Sequence, residues 1–145
     1  YTLCDDVAHL TAEAVRRIRG EVEAGGLPIV GLHWLLAHTE GLHLNDPDPA
    51  VRRRTADYLL REVDLCADLG GSVLVLGSPA QRNPPDGVSI ADAWRWTADT
   101  LRRCAERAEA AGVVFCLEAL PRPESQFITT VDEAGKQQAQ QAKPK

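Results

Sequence analysis

The chain has 145 residues, of which 44% are hydrophobic and 26% are charged, and its formal net charge is −5. This composition is that of a folded globular domain and excludes bulk disorder. The net charge is negative, whereas nucleic-acid binding favours a basic surface. No apolar run approaches the roughly 20 residues that span a bilayer. Neither nucleic acid nor a membrane is therefore an expected partner.

The first half of the chain predicts a helix, a strand and a second helix. Thr11 is the expected N-cap of a helix of about a dozen residues that ends near Gly25-Gly26. The nearly unbroken apolar run over residues 27–36 predicts a strand that is buried on both faces. A polar loop follows, and Asp48 with the proline after it starts an amphipathic helix that runs to about Leu69.

The second half repeats this alternation. The short apolar segments at residues 72–76 and 113–117 have glycine on at least one side, which predicts two buried strands. Between them lie a long loop and a helix that Ser89 caps and that runs to about Ala111. The sequence Thr-x-x-Glu at residues 130–133 is a capping box that starts a fourth helix.

Strands that alternate with amphipathic helices predict an α/β fold with parallel βα repeats. A doubly wound sheet and a (β/α)8 barrel both fit this order. A complete barrel needs about 250 residues, so the chain would be a partial (β/α)8 TIM barrel over residues 1–134. All three lysines lie in the last ten residues, and residues 135–145 are predicted to be a disordered, low-complexity tail. Because the chain begins at Tyr1 and has no methionine, we expect it to begin inside a longer reading frame or to be processed.

Glu118 is the strongest candidate for a catalytic or metal-binding residue, because it directly follows the apolar segment Val-Val-Phe-Cys-Leu. In parallel α/β folds the reactive groups gather where strands end. A carboxylate at such a point is costly to bury unless a cation or a hydrogen-bond donor compensates it. Two interpretations stay open: a salt-bridged carboxylate at the strand end, or a metal ligand that also moves protons.

Five other residues near the strand ends are weaker candidates. His33 is either a hydrogen-bonded core histidine or a ligand. Gln81 and Arg82 resemble a clamp for an oxyanion or a hydroxyl, although a loop arginine usually lies on the surface. Arg122 and Glu124 lie in a loop stiffened by prolines, where they are either aimed at a site or simply solvated.

Together these stretches resemble the xylose-isomerase-like barrel superfamily of sugar-phosphate isomerases and epimerases, over about residues 27–134. The motif Gly-Ser-Pro-x-Gln-Arg at residues 77–82 resembles that family's fourth-strand substrate loop. Residues 117–130 resemble its fifth-strand signature, LE-x-x-N-R-x-E followed by F-x-N-T. Pro121 and Thr129 stand where the family usually has asparagine. The chain would thus correspond to about strands three to five.

The four cysteines are widely spaced, without a C-x-x-C pair, which suits a reducing cytoplasm. The resemblance implies an enzyme that acts on a small-molecule sugar or sugar phosphate. Glu118 would be the first of four ligands to a divalent metal (Mn, Mg, Co or Zn) and one of two carboxylates that move a proton beside a carbonyl, by way of an enediolate. The substrate-binding residues would be Glu124, Arg122, Gln81, Arg82 and His33. The family's other metal ligands come from strands six to eight, so we expect this chain alone to be inactive and to bind metal weakly or not at all.

Several other functions are compatible with the same pattern. An endonuclease-IV-like DNA repair enzyme shares the barrel, but the acidic charge argues against it, and lyases such as inosose dehydratase share it too. A doubly wound nucleotide-binding domain is disfavoured because no glycine-rich phosphate loop follows a strand. A non-catalytic fragment is the alternative from another class: its open sheet edges and uncovered apolar faces would favour self-association into a homo-oligomer.

Overall fold

The computed structural model describes residues 7–141. A 3-10 turn at Val7–His9 precedes five helices: α1 Ala12–Ala24, α2 Pro49–Asp68, α3 Pro79–Arg82, α4 Ile90–Ala111 and α5 Val131–Gln141. The three strands are β1 Gly31–His33, β2 Val73–Leu76 and β3 Val114–Leu117. They form one parallel sheet in the order β1-β2-β3, which confirms the predicted α/β fold with parallel repeats.

The helix starts were predicted from local chemistry, and the structure confirms them. The side chains of Thr11, Asp48 and Ser89 each accept a hydrogen bond from a backbone N–H in the first turn of their helix. At α5 the Thr130 hydroxyl accepts from the Glu133 N–H, while the Glu133 carboxylate accepts from the Thr130 N–H. These reciprocal bonds form the expected capping box, which satisfies N–H groups that the helix itself leaves unpaired.

The helices of the described chain cover one face of the sheet. Alternate residues of a strand point to opposite faces. The helix-covered face carries buried side chains, namely Leu74, Leu76, Phe115 and Leu117. The opposite face carries the less buried residues Val73, Val75, Val114 and Cys116, and Val114 is 56% exposed. A doubly wound sheet has helices on both faces, whereas a barrel has them outside only, so one-sided coverage within residues 7–141 favours the partial barrel.

The prediction of a doubly buried strand over residues 27–36 is wrong. Only Gly31–His33 is a strand, and Leu27, Val30 and Trp34 are 61–70% exposed. The physical reason is position: β1 pairs with β2 on one side only, so its other edge has no described neighbour. The apolar run therefore reflects residues that line a face and an edge of the sheet rather than a strand enclosed on both sides.

Gly31 fixes how closely β1 approaches β2. A Cβ atom at this position would overlap the carbonyl of Val73, which is backbone and cannot move aside. The glycine in the apolar run is thus a requirement of strand pairing.

The last helix crosses the boundary that we predicted after residue 134, because α5 continues to Gln141. Residues 142–145 lie outside the described residues, and the disordered tail stays a prediction. No helix among the described residues is long and apolar enough to cross a membrane.

Candidate active site

Glu118 and His33 meet at the carboxyl edge of the sheet. Glu118 directly follows β3, and its backbone N–H donates to the carbonyl of Leu76 at 3.2 Å. Its Oε2 lies 3.2 Å from Nε2 of His33, the last residue of β1. The two residues come from the outer strands, and Gly77 at the end of β2 lies between them. A Cβ atom on Gly77 would overlap Glu118 Oε2, so the absence of a side chain at Gly77 lets the pair form.

The pair stays open to solvent, since the side chains of His33 and Glu118 are 49% and 35% exposed. When Nε2 carries the proton, the imidazole donates to the carboxylate and orients it. A carboxylate held in this way at a strand end can accept a proton from a bound molecule or hydrogen-bond a hydroxyl. The same two groups are ordinary metal donors.

The described residues do not by themselves form a metal site. No group of three or more His, Cys, Asp or Glu side chains suited to a metal ion occurs in the described part of the chain. A catalytic divalent ion such as zinc is held by three protein ligands, and Glu118 with His33 would make two at most. Any metal bound here would need donors from beyond residues 7–141.

Arg82 lies under the site rather than in it. The residue is 1% exposed. Its Nη1 donates to the carbonyls of Leu76 (3.4 Å) and Glu118 (2.6 Å), and its Nη2 donates to the carbonyl of Ile128 (3.2 Å). Burial lowers the pKa of Arg82, and the charge of Glu118 raises it. Arg82 thus joins the ends of β2 and β3 to the loop before α5, and this placement favours a bracing role over the predicted contact with substrate.

A buried asparagine ties the loop before α2 to the loop after β2. Asn45 is fully buried, its Nδ2 donates to the carbonyl of Arg82 at 2.5 Å, and its Oδ1 accepts from the hydroxyl of Thr97 at 3.0 Å. Periodicity does not reveal such a residue, because a polar side chain in a loop suggests exposure. The sequence pattern therefore gives no signal for its buried position.

Asn83 fixes the loop that carries Glu124. Its Nδ2 donates to the carbonyl of Glu124 at 3.3 Å, and its Oδ1 accepts from the hydroxyl of Ser125 (2.7 Å) and the N–H of Gln126 (3.0 Å). Glu124 itself is exposed. The loop backbone is thereby held in place while the Glu124 side chain stays accessible.

Gln81 and Arg122 are placed apart from the pair. Gln81 is half-buried and its carbonyl accepts from the N–H of Leu44 at 2.8 Å, whereas Arg122 is exposed. Within residues 7–141, no hydrogen bond or ion pair joins either side chain to Glu118. Of the six predicted site residues, the structure brings together Glu118, His33 and Arg82, the last through its bond to the Glu118 backbone.

The chain is similar in sequence to one known protein family and to two epimerases. A sequence model described as xylose isomerase-like TIM barrel matches residues 2–137. The chain is 33% identical over 120 residues to an L-ribulose 3-epimerase of Mesorhizobium japonicum, covering 76% of this chain and 39% of that protein. It is also 33% identical over 95 residues to a D-psicose 3-epimerase of Ruminiclostridium cellulolyticum, covering 63% of this chain and 32% of that protein. The chain thus spans less than two fifths of the length of these relatives.

Solved structures share the fold. A D-psicose 3-epimerase from Clostridium cellulolyticum, solved with D-tagatose, superimposes with a TM-score of 0.76 at 20% identity and covers 94% of this chain and 47% of that one. A 3-keto-D-glucoside 4-epimerase from E. coli superimposes with a TM-score of 0.74 at 18% identity and covers 89% of this chain and 50% of that one. These likenesses establish a TIM-barrel fold of which the chain spans about half.

Proposed function

We propose, since the chain belongs to the xylose isomerase-like TIM-barrel family, that it supplies one carboxylate of a sugar isomerase or epimerase site. The observation that carries the proposal is the placement of Glu118: it directly follows β3 at the carboxyl edge, half-exposed, with its Oε2 3.2 Å from His33 Nε2. The carboxyl edge is where barrel enzymes bind their substrates. The epimerase names of the sequence relatives support the same reaction class.

The proposed step is a proton transfer beside a carbonyl. The Glu118 carboxylate accepts the proton of a substrate carbon next to the carbonyl, the C–H electron pair enters a new C=C bond, and the carbonyl oxygen takes the negative charge. A second acid, from outside the described residues, returns a proton to the opposite face or to the neighbouring carbon. His33 holds the Glu118 carboxylate in position, and the carbonyl bond from Arg82 holds its backbone.

We propose that Glu118 is also a ligand to a divalent metal whose remaining donors lie outside the described residues. The substrate is a small-molecule sugar or sugar phosphate, with Glu124 facing it from the β3–α5 loop. A cytoplasmic location and the absence of a nucleic-acid partner are part of the same proposal, and the formal charge of −5 supports the latter.

A paramagnetic titration tests the role of Glu118 even when the metal affinity is weak. Mn²⁺ added to the ¹⁵N-labelled chain should broaden the amide signals of His33, Gly77 and Glu118 first, because their backbones surround the pair. The Glu118→Gln variant should lose this selective broadening. The matched control is Asp57→Asn, which removes an exposed carboxylate from the surface of α2 and should leave the broadening at the sheet edge unchanged. Broadening that spreads over all surface carboxylates, or that survives in Glu118→Gln, would contradict the proposal.

A second candidate is a non-catalytic fragment that pairs with another copy of itself. The supporting observation is the uncovered sheet face together with an apolar groove of about 600 Å³ beside β1, lined by Leu27, Ile29, Val30 and residues of α1. Sedimentation velocity distinguishes the two candidates. A dimer that dissociates when Val114→Glu places a charge on the uncovered face supports self-association, and a monomer at all concentrations excludes it.

A further inference from the structure

The loop before α2 is joined to the end of α3 by hydrogen bonds between consecutive residues. The N–H of Leu44 donates to the carbonyl of Gln81 at 2.8 Å, and Nδ2 of Asn45 donates to the carbonyl of Arg82 at 2.5 Å. Leu44 and Asn45 are 1% and 0% exposed. The last carbonyls of a helix have no donor within the helix itself, so this loop supplies the donors that the end of α3 lacks.

His43 adds a third contact of this kind, and it can do so only as a neutral imidazole. Its Nδ1 accepts a hydrogen bond from the N–H of Asn45 at 2.9 Å, and the ring also hydrogen-bonds the backbone of Asn83. A ring nitrogen that accepts a hydrogen bond carries no proton, whereas both nitrogens of a charged imidazole are donors. Protonation would therefore set two N–H groups against each other at Asn45. It would also favour movement of the charged ring into solvent, away from Asn83.

The groups around His43 place this event in mild acid. Burial lowers the pKa of His43, and the carboxylate of Asp46 in the same loop partly opposes the shift. The second proton should therefore bind below the ordinary histidine value of about 6.5. The neighbouring helices contact residues 43–45 through the uncharged Thr55 of α2 and Thr97 of α4. The arginines on the elements packed against the loop donate to backbone carbonyls, namely Arg52 and Arg54 of α2 and Arg82 of α3.

Asn83 connects His43 to the loop between β3 and α5. Its Oδ1 accepts from the hydroxyl of Ser125 at 2.7 Å and from the N–H of Gln126 at 3.0 Å, and its Nδ2 donates to the carbonyl of Glu124 at 3.3 Å. The backbone of Asn83 contacts the ring of His43, while its side chain holds three consecutive residues of the β3–α5 loop. A displacement of Asn83 must therefore disturb that loop as well.

We propose that His43 is a pH-sensitive switch: the neutral ring holds the loop before α2 on Asn83, and the protonated ring releases Asn83 and loosens the β3–α5 loop. The switch is a property of the two loops and does not rest on the proposed function. It adds to that function a means by which mild acid would free the loop that carries Glu124.

A pH titration of the ¹⁵N-labelled chain between pH 8 and pH 5 tests the switch. The proton on Cε1 of His43 reports the midpoint of the ring, which should lie below about 6.5. The amide signals of Asn45 and Gln126 should shift with the same midpoint. Gln126 is the decisive signal, because its N–H bonds the Oδ1 of Asn83 rather than any atom of His43. The amide of Ala98, which is buried in α4, should stay in place, and this separates loosening of the loops from unfolding of the chain.

Two histidine variants provide a matched comparison. His43→Asn places an amide oxygen near the position of Nδ1 but cannot bind a proton in this range, so the pH-dependent shift of Gln126 should disappear. His38 is exposed in the same connection between β1 and α2 and has a φ of 62°, which asparagine adopts more readily than most residues. His38→Asn should therefore fold normally and keep the full shift of Gln126.

Three results would overturn the switch. The first is a Gln126 signal that stays constant while His43 titrates, and the second is a Gln126 shift that survives in His43→Asn. The third is a change of the Ala98 signal at the midpoint of His43, which would mean that the whole chain unfolds. The first and third results come from the wild-type chain, so the test stands even where His43→Asn fails to fold.

Discussion

Glu118 directly follows β3, and its Oε2 lies 3.2 Å from Nε2 of His33 at the end of β1, although β2 separates the two strands. The two side chains meet above Gly77, which carries no side chain to keep them apart. This contact brings side chains from the ends of β1 and β3 together in one site at the edge of the sheet. The proposed function depends on this contact.

Gly77→Ala should separate the pair without unfolding the chain. The new methyl group would occupy the position of Glu118 Oε2, and the end of a flexible side chain can move aside at a cost of about 1 kcal/mol or less. The amide signals of His33 and Glu118 should shift in the ¹⁵N spectrum, and the selective Mn²⁺ broadening should weaken. The matched control is Gly20→Ala on the surface of α1, where a Cβ atom would meet nothing within 4 Å.

The Gly20→Ala control should gain up to about 1 kcal/mol of stability and leave the signals of His33 and Glu118 unchanged. If Gly77→Ala leaves the spectrum of His33 intact, the pair does not depend on the glycine.

Arg82→Met should destabilise the chain by about 3 kcal/mol. The substitution keeps much of the side-chain length but leaves the carbonyls of Leu76, Glu118 and Ile128 without their buried donor, and unsatisfied buried groups cost roughly 1–3 kcal/mol each before relaxation. Urea denaturation measures the effect. Arg61→Met on the exposed side of α2 is the control and should change stability by less than about 0.5 kcal/mol. Equal stability of the two variants would return Arg82 to the substrate-binding role that the sequence predicted.

The loop before α2 should lose stability in mild acid through His43. Burial lowers the pKa of His43, with smaller opposing effects from Asp46 and the backbone of Asn83, and its Nδ1 accepts a hydrogen bond from the N–H of Asn45 at 2.9 Å. The unfolded chain therefore binds this proton more readily than the folded chain. The stabilisation is present above the unfolded value of about 6.5 and is lost as the pH falls through the lower folded value. Urea denaturation between pH 8 and pH 5 should show a shallower decline in His43→Gln than in wild type, and an identical decline would contradict the assignment.

The cysteines should report which face of the sheet is covered. Cys66 and Cys104 are fully buried, and burial raises the pKa of the Cys104 thiol to about 12, so neither should react in the folded chain. Cys116 is half-buried on the uncovered face. Iodoacetamide at neutral pH should modify Cys116 well before Cys66 and Cys104, as measured by peptide mass spectrometry. Protection of Cys116 equal to that of Cys104 would mean that a second copy of the chain or another segment covers this face.

The parts of the fold that depend on local chemistry were predictable. The caps at Thr11, Asp48 and Ser89 require only a side chain and the first turn of its own helix, and the structure confirms them. The limits of β1 were not predictable in this way, because an apolar run has the same pattern whether its strand is central or at an edge. Only the strand order places β1 at the edge.

The site was predictable in position but less so in its contacts. Glu118 follows a buried strand, and parallel strands bring their ends to one edge; its contact with His33 required the register of three strands. The bonds of Arg82 were not predictable, because its partners are backbone carbonyls from distant parts of the chain, which a motif does not record. The buried position of Asn45 was not predicted, because a polar side chain in a loop suggests exposure.

Titration calorimetry of Mn²⁺ into the 145-residue chain tests whether Glu118 is a metal ligand whose partner ligands lie outside residues 7–141. Residues 7–141 contain no group of three or more side chains suited to a metal ion, so binding should be weak, without a resolved stoichiometry, and should weaken further in Glu118→Gln. Tight one-to-one binding, with a dissociation constant in the micromolar range or below, would contradict it.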